Sequence, residues 1–181
     1  MTQSQLIAIV VLFLALAAVV LLYLRTRRSK ALHERFGPEY ERTLRERGNL
    51  RGEAMLEKRE KRVRQYDIRP LAAAARDRYV KQWRLMQAKF VDDPDKTVGD
   101  ADRLLSEVMA ERGYPVADFD QQAADLSVHH ARVVEHYRAG HAIALSHARG
   151  RASTEDLRQA LIHYRELFED LVQEPAAASA L

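Results

Sequence analysis

The chain has 181 residues, no cysteine and a formal charge of +3. The missing cysteine excludes disulfides, thiolate metal sites and cysteine nucleophiles. The small net charge hides an uneven distribution: residues 25–67 hold 14 Lys and Arg against 8 Asp and Glu, whereas residues 68–181 hold 15 against 18. Nucleic acid is a poor partner for such a chain, because its distal part is acidic and no RNA- or DNA-binding motif occurs.

Residues 6–24 (LIAIVVLFLALAAVVLLYL) run without a charge or a proline. As a helix they would measure about 28 Å, close to the ~30 Å hydrocarbon core of a bilayer. The sequence therefore predicts an N-terminal transmembrane helix, with residues 1–24 as the anchor. No Lys or Arg precedes the span, and Arg25, Arg27, Arg28 and Lys30 follow it. The positive-inside rule then leaves the N-terminus outside and the C-terminal domain cytoplasmic, in a single-pass inner-membrane protein. Those four basic side chains are the expected contact with anionic lipid, each contributing about 1 kcal/mol. A cleaved signal peptide fits worse, since the leading residues are uncharged and the apolar run is too long. Ala8, Ala15 and Ala18 fall near one face and would let two anchors approach, which is compatible with a homo-oligomer.

Residues 25–67 read as basic juxtamembrane and charged spacer helices. Phe36, Gly37 and Pro38 break the first helix, and Pro38 suits the first turn of a short one that stops at Gly48. From Glu53 the chain is almost all charge, with Glu57–Lys61 and Glu60–Arg64 pairs four residues apart and a thin apolar stripe of Met55, Leu56, Val63 and Tyr66. A solvated spacer or a loose coiled-coil arm is expected there.

Pro70 opens a helical-bundle domain over residues 68–174. Tyr79, Trp83, Met86 and Phe90 share one helix face; Val98, Ala101, Leu105 and Val108 share the next. Asp93 with Pro94 starts that second helix, and Gly113 ends it. Asp118 caps a short helix to Leu126. Ser127 is the expected cap of a helix running to Arg149, with Gly150 beyond it. Ser153 with Asp156 forms a capping-box pattern ahead of Leu157, Leu161, Tyr164, Phe168 and Leu171. Residues 175–181 read as a disordered tail. No alternating apolar run predicts a strand, so the expected fold is all-α: transmembrane helix, charged spacer helix, small antiparallel bundle.

The combination of Trp83, Gln87, Phe90, Val91, Asp92, Asp93 and Pro94 with Arg112, Gly113, Tyr114 and Pro115, then Asp125, Leu126, Ser127, Val128 and His129, then Tyr137 and Arg138, resembles a group of uncharacterised bacterial membrane-anchored helical proteins. The resemblance covers about residues 34–172. It implies lineage and topology, with no activity, cofactor or catalytic residue attached.

Histidine carries the one chemical signal. His129, His130, His136, His141 and His147 fall within nineteen residues, but their spacings never supply the three- or four-residue step of a helical metal pair. At 100° per residue, His130 and His141 lie near the Val133 and Tyr137 face, while His129, His136 and His147 point elsewhere. The acidic stretch after Asp92 fails as a calcium loop: counted from Asp93, the sixth position is Val98 rather than Gly and the twelfth is Leu104 rather than Glu. No phosphate loop, dinucleotide fingerprint or nucleophile elbow occurs among the seven glycines. No cofactor or metal is expected. The reading is a membrane-anchored interaction or scaffold module with an unidentified protein partner. The alternative is a membrane-bound enzyme or sensor using a helix over residues 129–147, with His130, His141 and Tyr137 as its proton-linked or ligand-binding groups.

Overall fold

Turn chemistry sets the joints of this chain, and most fall where the sequence predicts. The computed structural model describes residues 3–115 and 117–173, with the backbone alone for residues 3–10. Among these residues the structure is all-helical, with eight α-helices and no strand. The expected tail over residues 175–181 lies outside the described residues. The contacts divide the chain into two compact units, Met1–Leu56 and Glu57–Leu181.

The first unit holds α1 (Gln3–Phe36), α2 (Pro38–Arg47) and the start of α3 (Asn49–Val63). α1 runs unbroken from the apolar stretch through the basic one. Gly37 and Pro38 then turn the chain, and Gly48 ends α2. Leu32, Phe36, Tyr40 and Leu56 are buried, and Ser29 and Tyr40 both donate hydrogen bonds to Glu53 Oε1, at 2.6 and 2.8 Å. The apolar side chains of residues 11–24 behave oppositely: all are exposed. No helix among the described residues is long and apolar enough to cross a membrane. The side chains of Leu6, Ile7, Ala8, Ile9 and Val10, which complete the apolar run in the sequence, lie outside the described residues.

The second unit contains the rest of α3, then α4 (Ala73–Lys89), α5 (Pro94–Glu111), α6 (Phe119–Leu126), α7 (Val134–Ala148) and α8 (Thr154–Gln173). α3 is less solvated than its charge predicts, because Arg59 and Val63 are buried. The predicted caps form. Asp93 Oδ1 accepts from the Lys96 N–H at 3.1 Å, and Asp118 Oδ1 from the Gln121 N–H at 2.9 Å. At α8 the Ser153 N–H donates to Asp156 Oδ2 and the Asp156 N–H donates to Ser153 Oγ, a complete capping box.

α5 ends in a Schellman turn: the Tyr114 N–H reaches the Met109 carbonyl and the Gly113 N–H the Ala110 carbonyl, both at 3.0 Å. Gly113 takes φ +95°, and a Cβ there would stand 2.1 Å from the Asp67 carbonyl oxygen. Glycine is therefore needed twice over, for the turn and for the close passage of the 67–69 segment. The Arg69 N–H completes that passage by donating to the Arg112 carbonyl at 2.9 Å.

One expected helix start is corrected. Ser127 does not open α7; it closes α6, and its hydroxyl donates to the Ala124 carbonyl at 2.6 Å. Residues 127–133 form a tight turn whose N–H groups reach back three or four residues, with Ser127, Val128 and His130 buried beneath it. α7 begins only at Val134. His129 and His130 thus leave the helix on which the sequence placed them.

α8 organises the core, packing against α7 on one side and α5 on the other, while α4 packs on α5. Trp83 of α4, 4 % exposed, stacks on Phe168 of α8 with ring centroids 4.5 Å apart and planes 13° from parallel. Leu157, Leu161, Tyr164, Phe168 and Leu171, the face read from spacing, are all buried. Gly140 lets α7 approach: a Cβ there would meet two Tyr164 ring carbons at 2.7 Å and the Ala160 carbonyl oxygen at 3.3 Å.

Gly140→Ala should therefore lower the melting temperature. Overpacking costs about 1–3 kcal/mol, more than the ~1 kcal/mol that alanine gains in helix propensity. Gly99→Ala is the control, because a Cβ at Gly99 on α5 meets nothing within 4 Å. That variant should melt at or above the wild-type temperature.

Candidate functional site

The histidines separate into distinct environments. His130, buried under the 127–133 turn, places Nδ1 2.5 Å from Asp170 Oδ2 on α8. Tyr114, from the loop after α5, packs its ring 6.2 Å from that of His130 and its hydroxyl 3.2 Å from His129 Nδ1. Arg112, also buried, donates from Nη1 to the Leu171 carbonyl at 2.9 Å. This polar group ties two irregular segments to the C-terminal half of α8.

His141 goes elsewhere. It stacks on Phe119 of α6 with centroids 3.6 Å apart and planes 7° from parallel. Tyr137, one turn earlier on α7, packs on the same Phe119 ring at 4.8 Å and donates to Gln122 Oε1 at 3.1 Å. Burial, and then the nearby Asp102 carboxylate, push the phenols of Tyr137 and Tyr164 up. Both remain neutral donors at any physiological pH. Of the three residues singled out from sequence, Tyr137 and His141 therefore share an aromatic neighbour, while His130 pairs with Asp170.

The sequence did not pair His136 with His163. Their Nδ1 atoms stand 3.0 Å apart across the α7–α8 seam, so one ring donates and the other accepts. Two positive rings cannot share that contact. Burial first, and then the charge of His136, hold the His163 imidazole below its ordinary value, with Glu166 opposing. Among the described residues no three His, Asp or Glu side chains are placed to hold a metal ion.

A second unforeseen cluster surrounds Asp125 on α6, which is 1 % exposed. Arg62 of α3 donates to Asp125 Oδ1 from both Nε and Nη2, Gln121 donates from Nε2 to both oxygens at 2.9 Å, and Tyr66 donates to Oδ2 at 3.1 Å. Arg59 Nη1 lies 3.4 Å from Ser127 Oγ alongside. Burial, then the carboxylate, raises the Tyr66 phenol. The cluster fastens the end of α3 to α6, with the carboxylate lone pairs consumed by protein donors. Its chemistry is that of a clamp.

In the first unit, Arg25, Arg27, Arg28 and Lys30 all stand exposed on α1. The Arg27 guanidinium lies 5.3 Å from the centroid of the Tyr23 ring, and Lys30 Nζ lies 3.9 Å from Glu34 Oε1. No family model, curated protein or solved structure matches the chain, so the site is read from its own geometry.

Two expected outcomes follow from these clusters. Asp125→Ala would leave Arg62 facing a half-buried void and should cost about 3 kcal/mol in a denaturant titration, with Asp125→Asn costing less. The His136–His163 contact carries a pH dependence whose sign is fixed by the depressed His163 pKa. The unfolded chain takes up this proton at about pH 6.5 and the folded chain only below that, so stability falls as pH drops through that window. His163→Asn keeps a polar atom near Nδ1 but cannot titrate. Its melting temperature should fall less steeply than wild type between about pH 7 and 5.5.

Proposed function

We propose that this chain is a single-pass membrane-anchored interaction module. Residues 6–24 of α1 span the bilayer, the N-terminus faces outward, and the helical bundle works on the cytoplasmic side by binding protein rather than by catalysis. The exposed apolar surface of α1 carries this reading. Val11, Leu12, Phe13, Leu14, Leu16, Val19, Val20, Leu21, Leu22 and Leu24 are 46–68 % exposed, around the whole circumference of the helix. A helix apolar on every side needs lipid or a protein interior around it, and among the described residues the side chains of 11–24 are all exposed. Arg25, Arg27, Arg28 and Lys30 follow directly, exposed and positioned for anionic headgroups. The interaction role draws support from the clamp-like use of Asp125 and Arg112, two buried polar side chains that hold helices and turns together.

The test is topological. The full-length chain should stay in membranes washed with alkaline carbonate. A C-terminal fusion to a phosphatase active only outside the cytoplasm should be silent, and a fluorescent fusion bright. Replacing the four basic residues with Gln should weaken this orientation bias and yield measurable phosphatase activity. A chain released by carbonate would sink the anchor; a strongly active wild-type phosphatase fusion would reverse the orientation.

A further inference from the structure

Within the first unit, α2 folds back along α1 toward the end of the apolar run. After Gly37 turns the chain, the His33 ring of α1 packs edge-on to Tyr40 of α2, with centroids 5.2 Å apart. Farther back, Ser29 of α1 donates to Glu53 of α3 at 2.6 Å. Leu44 of α2 lies against Gly52 of α3, where a Cβ would stand 2.9 Å from Leu44 Cδ1. Leu44, Gly52 and Glu53 are therefore roughly level with Ser29. Residues 45–47 and the turn at Gly48 carry on in the same direction for about 5 Å, which brings them beside Arg25. There the turn presents Leu50, 66 % exposed, with Arg45, Arg47 and Arg51 exposed around it. Among the described residues these three arginines have no ion-pair partner, and the neighbouring carboxylate of Glu46 is held by Arg42 at 3.0 Å.

We infer that the α2–α3 turn is a second membrane contact. Leu50 enters the interfacial layer, and Arg45, Arg47 and Arg51 take the phosphates of anionic lipid. The inference rests on the anchor reading above and deepens it, because the turn meets a bilayer only if residues 6–24 span one. Height and chemistry select lipid as the occupant. With the apolar run ending at Leu24, headgroups lie around Arg25, the level that the turn reaches. A bilayer offers phosphate at that level and hydrocarbon just beneath it, the two surroundings that arginines ringing an exposed leucine need. Glu53 also accepts from Tyr40 at 2.8 Å, so α1, α2 and α3 are tied together close to the contact. A lone spanning helix can spin about its own axis. A contact set to one side of α1 fixes that rotation, and with it the face of the first unit turned toward the surface.

The chain has no cysteine, so a single nitroxide label can be placed at will. Full-length Leu50→Cys, Glu34→Cys and Leu16→Cys chains would be labelled and reconstituted into nanodiscs of neutral or anionic phospholipid. Depth is read by collision with oxygen, which concentrates in lipid, and with a water-soluble nickel chelate. In anionic discs the label at 50 should meet oxygen freely and nickel rarely. The label at 34, about 13 Å beyond Arg25 along α1, should meet nickel. Replacing Arg45, Arg47 and Arg51 with Gln weakens surface partitioning about fivefold per arginine. It should open the label at 50 to nickel as fully as position 34, and neutral discs or added salt should shift it the same way. The replaced side chains are exposed, so the fold should survive, as helical circular dichroism would verify. A label at 50 open to nickel in anionic discs overturns the proposal. So does one shielded from both probes, the mark of burial against protein, or one shielded equally without the arginines. The label at 16 reads the anchor separately. Shielding at 16 with exposure at 50 leaves the anchor standing and sinks the turn contact, whereas a label at 16 open to nickel sinks the anchor and the proposal with it.

Discussion

An aromatic ring set against bare backbone fixes the second unit. Tyr164 on α8 is wholly buried and occupies the space that a side chain at position 140 of α7 would need. That contact sets how closely the two helices approach, and close approach brings Leu157, Leu161 and Phe168 within reach of their neighbours. α5 covers the other flank of α8, and Trp83 carries α4 onto Phe168. Remove the glycine and the ring must move in a core where it has no room.

Away from the helices the backbone turns are bonded within themselves, and side chains supply their attachment to the rest of the unit. The 127–133 turn is held by His130 against Asp170, and the loop after α5 by Arg112 on the Leu171 carbonyl. Asp125 binds the end of α3 through Arg62 and the turn after it through Tyr66. Buried ions are costly to desolvate, so such clusters add less to stability than their short contacts suggest. Each one specifies which segment lies where. An apolar contact of similar area could slide; a carboxylate shared by an arginine, an amide and a phenol cannot.

Helices with a strong apolar period were legible. The faces on α5 and α8 are buried as their spacing requires, and Asp93, Asp118, Ser153 and Gly113 act as local chemistry demands. Ser127 misled because serine suits an N-cap and its neighbours are apolar. Here its hydroxyl turns back to α6, and burial of Val128 and His130 outweighs local preference. The clusters were hidden for a different reason. Arg62 and Asp125 are 63 positions apart, and His130 and Asp170 are 40 apart. Nothing in local spacing announces a partner at that distance. Arg59 and Arg62 sit in a run of charge that reads as solvated, and only the fold shows which of them turn inward.

α1 continues as one helix through the apolar and basic stretches until Gly37, with no joint between them. A rod of that kind behaves as a lever. Residues 25–36 extend the shaft by roughly 18 Å, so a change of about 10° in its tilt carries the far end some ~3 Å sideways. Tilt is how a helix accommodates a bilayer thicker or thinner than its apolar length. Lodged in lipid, α1 would thus convert membrane thickness into the position at which the chain emerges at Gly37, with the lever fixed by the helix itself.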